Sequence, residues 1–464
     1  MLVQDGLPTP ARYRAMIVII LGITLCVLND TIINLALPGI ARDLHVEAGQ
    51  AVWVVTGYQI ATLALLLPCA TLGDLIGYRR VYLSGLALFT LASFACTLAD
   101  SLALLTAARV IQGLGAAGIM SVNTALVRLI YPRRVLGRGV AINSMVVATA
   151  SVAGPSVAAA ILSVASWPWL FALNLPLGVL VVWLGLGALP PNLETSTARL
   201  SWLDVLLNAL MFSLVFLGVD ALGTHFGKSA TSLGLGAGFA LLACGVLVGV
   251  FYLRRQFRQP VPMFPVDLLR IPVFALSMCT SVMSFSAQML AYIGLPFLLI
   301  ESYGRSPIQA GLVMTAWPLC IVVVAPIVGR LIGRYPDGLL GGIGLGTMAT
   351  GLALLAALPV QPDNADIVWR MALCGIGFGL FQSPNNHSIV TSAPQNRSGG
   401  ASGMLGGARL TGQTIGAALL AIIFSSANVH DGRGPVIALA LAACFAAAGG
   451  AFSMLRLRHA SALH

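Results

Sequence analysis

The sequence predicts an all-α membrane protein that crosses the bilayer many times. Of its 464 residues, 58% are hydrophobic and only 9% are charged, and the mean hydropathy is +0.93. Soluble domains usually contain about 25% charged residues. A membrane-spanning helix needs about 20 predominantly apolar residues, and stretches of this kind follow one another almost to the end of the chain. The sequence therefore leaves no room for a separate soluble domain.

The basic charge and the cysteines do not indicate nucleic-acid binding, disulfides or metal. The net charge of +10 is dispersed among short loops, whereas nucleic-acid binding needs basic residues gathered on one soluble face with aromatics between them. We interpret the eight cysteines as small core residues because they lie in apolar stretches without CxxC spacing or histidine pairs. They are Cys26, Cys69, Cys96, Cys244, Cys279, Cys320, Cys374 and Cys444.

Apolar stretches separated by charged or Pro/Gly-rich breaks predict fourteen spans. The first follows Arg12 and Arg14 and extends to Leu37. It is longer than a signal-peptide core and has no convincing cleavage site, so we expect it to be retained. The fourteen spans begin near Ala15, Ala51, Val81, Ala103, Gly139, Trp167, Leu203, Ser232, Ile271, Ile308, Gly338, Asp366, Ala401 and Gly434.

The distribution of basic residues predicts that both termini are cytoplasmic. An even number of spans places the termini on one side, and eighteen of the 25 basic residues then lie in inner loops or termini. Only Arg42, Lys228, Arg305 and Arg433 lie in outer loops. This asymmetry is the one that the positive-inside rule requires. A count that is two spans lower would give the same charge asymmetry, so twelve spans remain an alternative.

Two parts of the chain are faintly similar to each other. Residues 109–115 of span four resemble residues 370–377 of span twelve, and the loop at 73–80 resembles the loop at 329–335. The two pairs correspond if spans seven and eight are an insertion, which is an organisation typical of repeat-built transporters. We therefore predict a six-helix half at 1–190, an inserted helix pair at 191–259 and a second six-helix half at 260–464.

One motif that usually indicates a dinucleotide site has another explanation here. Gly113-Leu-Gly115-Ala-Ala-Gly118 spells GxGxxG, yet no strand precedes it and no βαβ unit surrounds it. In membrane helices, small residues at this spacing allow close helix packing. We find no nucleophile with a base, no metal cluster and no ATP-binding P-loop, so the sequence predicts a protein that is not an enzyme, has no cofactor and draws its energy from an ion gradient.

Four segments together resemble the Major Facilitator Superfamily, specifically its fourteen-span branch of drug:proton antiporters. They are the loop with Leu72, Asp74, Gly77, Arg79 and Arg80, span four with Arg109, Gln112 and Gly113, span five with Gly154-Pro155, and span six with Trp167, Asn174, Pro176 and Gly178. The resemblance covers nearly the whole chain. It implies a fold of two six-helix halves with an inserted helix pair.

The resemblance also implies roles for two of these segments. The loop is similar to the superfamily's conformational latch, which makes Asp74, Gly77, Arg79 and Arg80 gating residues. The pair Gly154-Pro155 resembles the antiporter motif. The chain departs from the usual pattern at Ala70, Leu75, Ala158 and Ala159, where glycine, arginine and two glycines are usual.

Asp30 is the one carboxylate that the sequence places deep within a span. It lies roughly 22 Å from the cytoplasmic start of span one at 1.5 Å per residue. An ionisable group at such depth is a functional-site hypothesis by default. The antiporter branch usually carries its aspartate one residue earlier, where this chain has Asn29, a displacement of about 100° around the helix.

Arg109 is the predicted partner of Asp30. It lies roughly 10 Å from the outer start of span four by the same rise. In a hydrocarbon core about 30 Å thick, Asp30 lies roughly 8 Å from the outer side, so the two depths agree. Spans one and four both border the central cavity in facilitator folds, so an ion pair, direct or through water, is reasonable. Asn34, one turn beyond Asp30, is placed to hydrogen-bond the carboxyl group. The alternative is that Asp30 only holds Arg109 in place.

Polar residues in several spans are candidates for the lining of a substrate cavity. Two of them have structural alternatives: for Arg409, hydrogen bonds to backbone carbonyls at a helix break, and for the polar run of Gln382, Asn385 and His387, pairing of the groups freed around Pro384. Asp204 and Asp220, near the ends of span seven, are interpreted as interfacial. The cavity candidates are Trp53, Tyr58, Gln59, Gln112, Gln288, Tyr292, Gln382 and Arg409.

The sequence favours a proton-coupled antiporter that exports amphipathic drugs or biocides across the bacterial inner membrane. The expected partners are the small-molecule substrate, protons and the lipid bilayer, without nucleic acid, and the chain is expected to be monomeric. A dedicated metabolite exporter or importer on the same scaffold is the first alternative. A membrane sensor without turnover is the second, and the absence of any signalling domain argues against it.

Overall fold

A computed structural model describes residues 6–132, 135–190, 201–226, 232–259, 264–359, 362–393, 398–427 and 431–460. Within these ranges the chain is almost entirely helical. Twelve helical segments of the described chain are long and apolar enough to cross a membrane. Two further long helices, Leu136–Leu162 and Asn364–Ser392, pack among them. The predicted all-α membrane fold is therefore confirmed. The count of fourteen spans stays a prediction.

The helices are numbered in chain order. They are α1 (Thr9–Asp43), α2 (Ala48–Ala51), α3 (Trp53–Ile76), α4 (Tyr78–Thr97), α5 (Leu102–Ile130), α6 (Leu136–Leu162), α7 (Pro168–Ala172), α8 (Asn174–Ala188), α9 (Trp202–Phe226), α10 (Ser232–Gln256), α11 (Pro272–Phe297), α12 (Pro307–Met314), α13 (Ala316–Leu331), α14 (Asp337–Ala356), α15 (Asn364–Ser392), α16 (Ser398–Ser426) and α17 (Arg433–Ala460).

Several spans are interrupted rather than continuous. The sixth predicted span consists of α7 and α8, and Pro168 occupies the first turn of α7, where a missing N–H costs nothing. The tenth consists of α12 and α13. A π-helix at Leu298–Ser302 ends the span that α11 begins. Glu301 lies in this π-helix, a kind of irregularity that is frequent at functional sites.

The first helix, α1, begins on the same side of the molecule on which the last described helix, α17, ends. The end of α1 meets the end of the α11 span, because Arg42 Nε lies 3.2 Å from Glu301 Oε1. The end of α17 meets the beginning of α11, because Arg456 Nη1 donates to Ser277 Oγ at 3.0 Å. We call the side on which α1 begins the terminal side and the opposite side the distal side.

The helix pair α9–α10 packs together and also touches other spans. The backbone of α10 lies against Gly218, leaving no space for a side chain there. Asn208 Nδ2 donates to the Ala64 carbonyl oxygen of α3 at 2.7 Å. On the terminal side, Asp204 is buried and accepts from Arg255 at 2.6 Å, so its role is structural. The side chain of Asp220 lies outside the described residues, and the predicted division into domains stays a prediction.

The glycines of the GxGxxG run lie at helix contacts, as the sequence predicts. A Cβ atom at Gly115 would lie 2.5 Å from the backbone nitrogen of Phe89 on α4, and one at Gly118 would lie 3.1 Å from Gly85 Cα. Real Cβ atoms essentially never lie 2.5 Å from another atom, and a distance of 3.1 Å is shorter than most real Cβ contacts. The absence of side chains therefore allows α4 and α5 to pack at short distance.

Replacing Gly115 with alanine is expected to destabilise the folded protein by about 1–3 kcal/mol, because overpacking forces backbone shifts of that cost. Thermal unfolding of the purified protein in detergent measures the change. Gly346→Ala is the matched control, since Gly346 lies within α14 and has nothing within 4 Å of its Cβ position. Equal melting temperatures for the two variants would contradict the packing argument.

Candidate functional site

Asn29 and Asp30 are neighbours on α1 that face different surroundings. Asn29 is buried, and its Oδ1 accepts hydrogen bonds from Gln112 Nε2 and Asn174 Nδ2, both at 3.3 Å. Gln112 Nε2 also donates to Ser93 Oγ at 2.7 Å. Successive residues on a helix point about 100° apart. The position that holds aspartate in the antiporter branch is thus occupied here by an amide within a buried polar network.

Arg109 is fully buried and belongs to the same network. Its Nε donates to the Val54 carbonyl oxygen at 2.8 Å and its Nη1 to Gln112 Oε1 at 2.5 Å. The guanidinium lies over the ring of Tyr58, 4.2 Å from the centroid, and 5.8 Å from that of Phe171. These contacts compensate part of the cost of removing a cation from water. Nη2 has no hydrogen-bond partner among the described residues.

Asp30 is partly accessible and interacts electrostatically with two arginines of different helices. It interacts electrostatically with Arg409 of α16 first and with Arg109 of α5 second, and the Tyr58 hydroxyl lies nearby. Within the described ranges, no basic nitrogen lies within 4.0 Å of its carboxylate. The direct ion pair expected with Arg109 is therefore not formed. Among the described residues no hydrogen bond from Asn34 Nδ2 to the Asp30 carboxylate is formed, and the buried Asn34 Oδ1 is unpartnered.

Arg409 reaches Asp30 from the opposite part of the chain. It lies over the Phe285 ring of α11, 5.9 Å from the centroid, and interacts electrostatically with Tyr292. Its Nε has no hydrogen-bond partner in the described part of the chain. Gln413, one turn further along α16, is buried with its Oε1 unpartnered. The structure thus brings Arg409 to the candidate site instead of to a helix break.

The aromatic and amide candidates of α3 and α11 lie near these charges. Tyr58 and Gln59 are buried, and Gln59 Nε2 lies 3.8 Å from Met289 Sδ, which links α3 to α11. Tyr292 packs edge to face on Trp317, with centroids 5.2 Å apart. Gln288 is buried and interacts with the Tyr292 hydroxyl.

Two candidates lie away from this group or have another role. Trp53, partly buried, packs against the apolar cluster shared by α3, α9 and α16. Gln382 is partly buried on α15. Its neighbour Asn385 donates to Ser281 Oγ at 2.7 Å and accepts from Arg456 at 3.0 Å. The polar run that contains Gln382 is thus tied, through Asn385, to a structural cluster on the terminal side.

Sequence reasoning missed three members of the polar network and one aromatic. Ser93, Asn29 and Asn174 bind one another or Gln112, and Trp317 packs on Tyr292. Asn174 belongs to the span-six motif, so that motif was an available signal for it. Ser93 and Trp317 carry no such signal, because each is a single residue within an apolar stretch.

The hydrogen bonds of the predicted gating loop stay, among the described residues, within its own part of the chain. Gly77 links α3 to α4 at a φ of 102°, which favours glycine. The Tyr78 hydroxyl donates to Asp74 Oδ1, and Arg79 Nη2 donates to the Leu186 carbonyl oxygen of α8. Arg80 is exposed. Among the hydrogen bonds of described residues, none joins this loop to α11–α17.

Gly154 and Pro155 lie where α6 meets α1 and α12. Gly154 lies against the side chain of Thr31, so that a Cβ atom would clash there. The Pro155 carbonyl oxygen lies 2.8 Å from the Cβ position of Gly311 on α12. One residue further, Ser156 Oγ and Thr315 Oγ1 are 2.8 Å apart and share a hydrogen bond. The predicted antiporter motif therefore forms part of the contact between the two parts of the chain.

The two parts of the chain are packed together on the distal side. One large apolar cluster contains residues of α1, α3 and α7 together with residues of α11, α12, α15 and α16. The Arg42–Glu301 ion pair borders a distal cavity of about 690 Å³. On the terminal side, one cluster belongs to α1, α4, α5 and α8 and another to α11, α15 and α16. The two parts are thus joined by one large cluster on the distal side, and they also touch where Leu66 and Leu67 of α3 lie against Gly406 and Gly403 of α16.

Comparison with known families decides the class of this fold. The sequence profile of the Major Facilitator Superfamily matches residues 19–417 and 276–462. The chain belongs to the Major Facilitator Superfamily. It is therefore a multi-pass membrane transporter, which fits the interrupted helices, the polar interior and the packed distal side.

Relatives within the superfamily differ in what their names say. The chain is 52% identical over 454 residues to an uncharacterized transporter, YebQ, of Escherichia coli, covering 98% of this chain and 97% of the relative. It is 31% identical to the multidrug resistance protein Stp of Mycobacterium tuberculosis, covering 88% and 74%. It is 28% identical to the riboflavin transporter RibZ of Clostridioides difficile, covering 90% of each.

Proposed function

We propose that this facilitator is a proton-coupled antiporter that exports amphipathic compounds across the bacterial inner membrane by alternating access. The observation that carries the proposal is the position of Asp30. It is a carboxylate within a membrane-spanning helix, it has no ion-pair contact among the described residues, and it interacts electrostatically with Arg409 and Arg109. Such a residue is expensive to keep in a span and is a candidate proton carrier.

Coupling follows from the dependence of a carboxylate's proton affinity on its surroundings. Exposure to water and the distance to cations both set that affinity. Arg409 lies on α16 and Asp30 on α1, so a movement between the two parts of the chain changes the distance between their charges. Opening of the site to one side then favours proton binding, and opening to the other favours release. Substrate and proton compete for Asp30.

Alternating access requires that the distal contacts break. With the termini in the cytoplasm, as the basic residues predict, the distal side is periplasmic. Opening towards the periplasm must separate Arg42 from Glu301 and Ser156 from Thr315. We further propose that α1–α8 and α11–α17 are the two moving halves, with α9–α10 as an inserted pair, and that the protein functions as a monomer.

Cross-linking the distal side is expected to stop transport almost completely. The double variant Arg42→Cys and Glu301→Cys, made in a chain whose eight native cysteines are replaced by alanine, places a thiol on each side of the ion pair. A short bifunctional thiol reagent then ties α1 to the α11 span. Transport should fall to the background of empty cells and return on reduction, and each single-cysteine variant is the control. Full transport by completely cross-linked protein would contradict alternating access.

The relatives support more than one substrate class. The name of Stp supports drug export, and that of RibZ supports a metabolite as the substrate. We place export of amphipathic drugs or biocides first, because the interior combines aromatic rings with few charges. A dedicated metabolite carrier on the same scaffold is the second candidate, and the unpartnered amide oxygens of Asn34, Gln59 and Gln413 favour it.

Efflux of a fluorescent lipophilic cation from cells that lack their own pumps tests the proposed function. Cells that make this protein should lose preloaded dye faster than control cells, and a protonophore that collapses the pH gradient should abolish the difference. Efflux that continues unchanged without the gradient would contradict proton coupling. Absence of efflux of every drug tried, despite correct membrane insertion, would favour the metabolite carrier.

A further inference from the structure

We propose that the substrate is amphoteric: its anionic group binds Arg409 while its cationic group binds Asp30, with an aromatic ring against the rings of α11 and α13. The inference rests on the proposed function, since it concerns the substrate of that same site. It names a class of substrate, aromatic molecules that carry both a carboxylate or similar anion and an amine. Lipophilic cations without an anionic group are then the poorer ligands.

Arg409 differs from the other arginines in the interior of the described structure. Arg109 is held by Val54 and Gln112, and Arg456 by Ser277, Asn385 and Ser453. These guanidinium groups are each held by two or more hydrogen bonds, although Arg109 Nη2 is unpartnered, and the largely buried Arg370 is likewise held by Leu354 and Asp366.

Arg409 instead lies over the Phe285 ring of α11, and its Nε has no hydrogen-bond partner among the described residues. It interacts electrostatically with Asp30, and no carboxylate of the described residues lies within 4.0 Å of its nitrogens. A planar guanidinium with free donors matches a carboxylate, which it can bind with two parallel hydrogen bonds. A cation within the membrane that lacks a counterion in contact is therefore available to an anionic group of a substrate.

Neutral groups around the two charges also lack partners. Asn34 follows Asp30 by one turn, and Gln413 follows Arg409 by one turn, so each amide lies on the same helix face as its charge. Both side chains are more than nine-tenths buried, and the amide oxygen of each is without a partner. Buried polar atoms are costly unless they are hydrogen-bonded. Hydrogen-bond donors of a bound substrate would satisfy these acceptors.

Aromatic side chains occupy the space beside Arg409. Phe285 lies under its guanidinium, and Tyr292 interacts with it and packs on Trp317. The Trp317 side chain is fully buried, and its Nε1 is unpartnered. Aromatic pairs favour a further ring at offset or edge-to-face geometry. An aromatic body with one charge of each sign thus meets a complementary partner at each part of the site.

A matched pair of dyes separates this inference from binding of lipophilic cations in general. Rhodamine B carries a free carboxylate beside its cationic xanthene ring system, and its ethyl ester is the same molecule with that carboxylate neutralised. Fluorescence polarisation with the purified protein in detergent measures the affinity of each dye. We expect the wild type to bind rhodamine B about tenfold more tightly than the ester, which corresponds to one hydrogen-bonded charge.

Variants assign the preference to Arg409. Arg409→Gln should lower the affinity for rhodamine B to that for the ester, and Arg409→Lys, which keeps the charge but loses the planar donors, should keep part of the preference. Arg433→Gln, which removes one exposed surface charge, should bind both dyes as the wild type does. Asp30→Asn should weaken binding of both dyes while rhodamine B remains the tighter ligand.

The outcomes distinguish this inference from the proposed function. Equal affinity of the wild type for the two dyes, a preference that survives in Arg409→Gln, or no binding of either dye overturns the inference. If Arg409→Gln does not fold, the expected partial preference of Arg409→Lys and the retained preference of Asp30→Asn decide it. Proton-driven uptake into proteoliposomes tests the proposed function separately, because the binding preference is measured without a gradient.

Discussion

The variant Asp30→Asn is expected to abolish transport driven by a pH gradient while leaving the protein folded. Asparagine has almost the same shape as aspartate but neither binds nor releases a proton near neutral pH. Accumulation of substrate against its gradient should fall to the level of empty proteoliposomes. Transport of substrate down its own concentration gradient should continue, because that process is not driven by the pH gradient. Both are measured with an imposed pH difference of either sign.

The double variant Asn29→Asp and Asp30→Asn is the matched control, because it has the same composition with the carboxylate moved by one residue. Position 29 faces Gln112 and Asn174, on another side of α1 from Arg409. We therefore expect that the moved carboxylate does not restore gradient-driven transport. Undiminished uphill transport by Asp30→Asn alone would contradict the assignment of Asp30 as proton carrier.

Replacing Arg109 is expected to cause the largest loss of stability among the polar residues of the site. Arg109→Gln leaves the Val54 carbonyl oxygen and Gln112 Oε1 without their donor, and each buried orphan costs about 1–3 kcal/mol. It also removes the stacking on Tyr58. A lower melting temperature in detergent and loss of transport should follow together. Arg109→Lys should be nearly as harmful, since lysine lacks the planar, bidentate geometry.

Arg80→Gln is the control for Arg109, because Arg80 is exposed on the same part of the chain. Its melting temperature should differ little from that of the wild type, since surface substitutions usually change stability by less than about 0.5 kcal/mol. If Arg109→Gln melts like Arg80→Gln, the network around Arg109 contributes little to folding. That result would leave no structural reason for a fully buried arginine at this position.

Features that depend on local sequence could be predicted. The length and apolarity of the helices, the presence of Asp30 within the first of them and the packing role of the glycines at Gly113 and Gly115 all follow from residues close in the chain. The one-residue offset between Asn29 and Asp30 also predicted that they face different directions. The buried network around Asn29 gives that offset a physical meaning, since the amide there binds Gln112 and Asn174.

Features that depend on distant packing could not be predicted. Depth along the helix made Arg109 the expected partner of Asp30, but Arg109 is turned towards Val54, Gln112 and Tyr58. Arg409, which also interacts electrostatically with Asp30, comes from α16, about 380 residues further along the chain, and depth alone gave no reason to bring it there. Which of several buried cations faces a carboxylate is decided by the rotation of each helix, and the hydropathy pattern does not encode that rotation sharply.

Substrate-driven proton movement tests the central claim most directly. Purified protein is reconstituted in proteoliposomes that contain a pH-sensitive fluorescent dye, and rhodamine B is added on one side without an imposed pH difference. The account predicts that the wild type moves protons in the direction opposite to the substrate and that Asp30→Asn moves none. Proton movement of equal rate in the wild type and in Asp30→Asn would contradict it, as would substrate transport by the wild type without any proton movement.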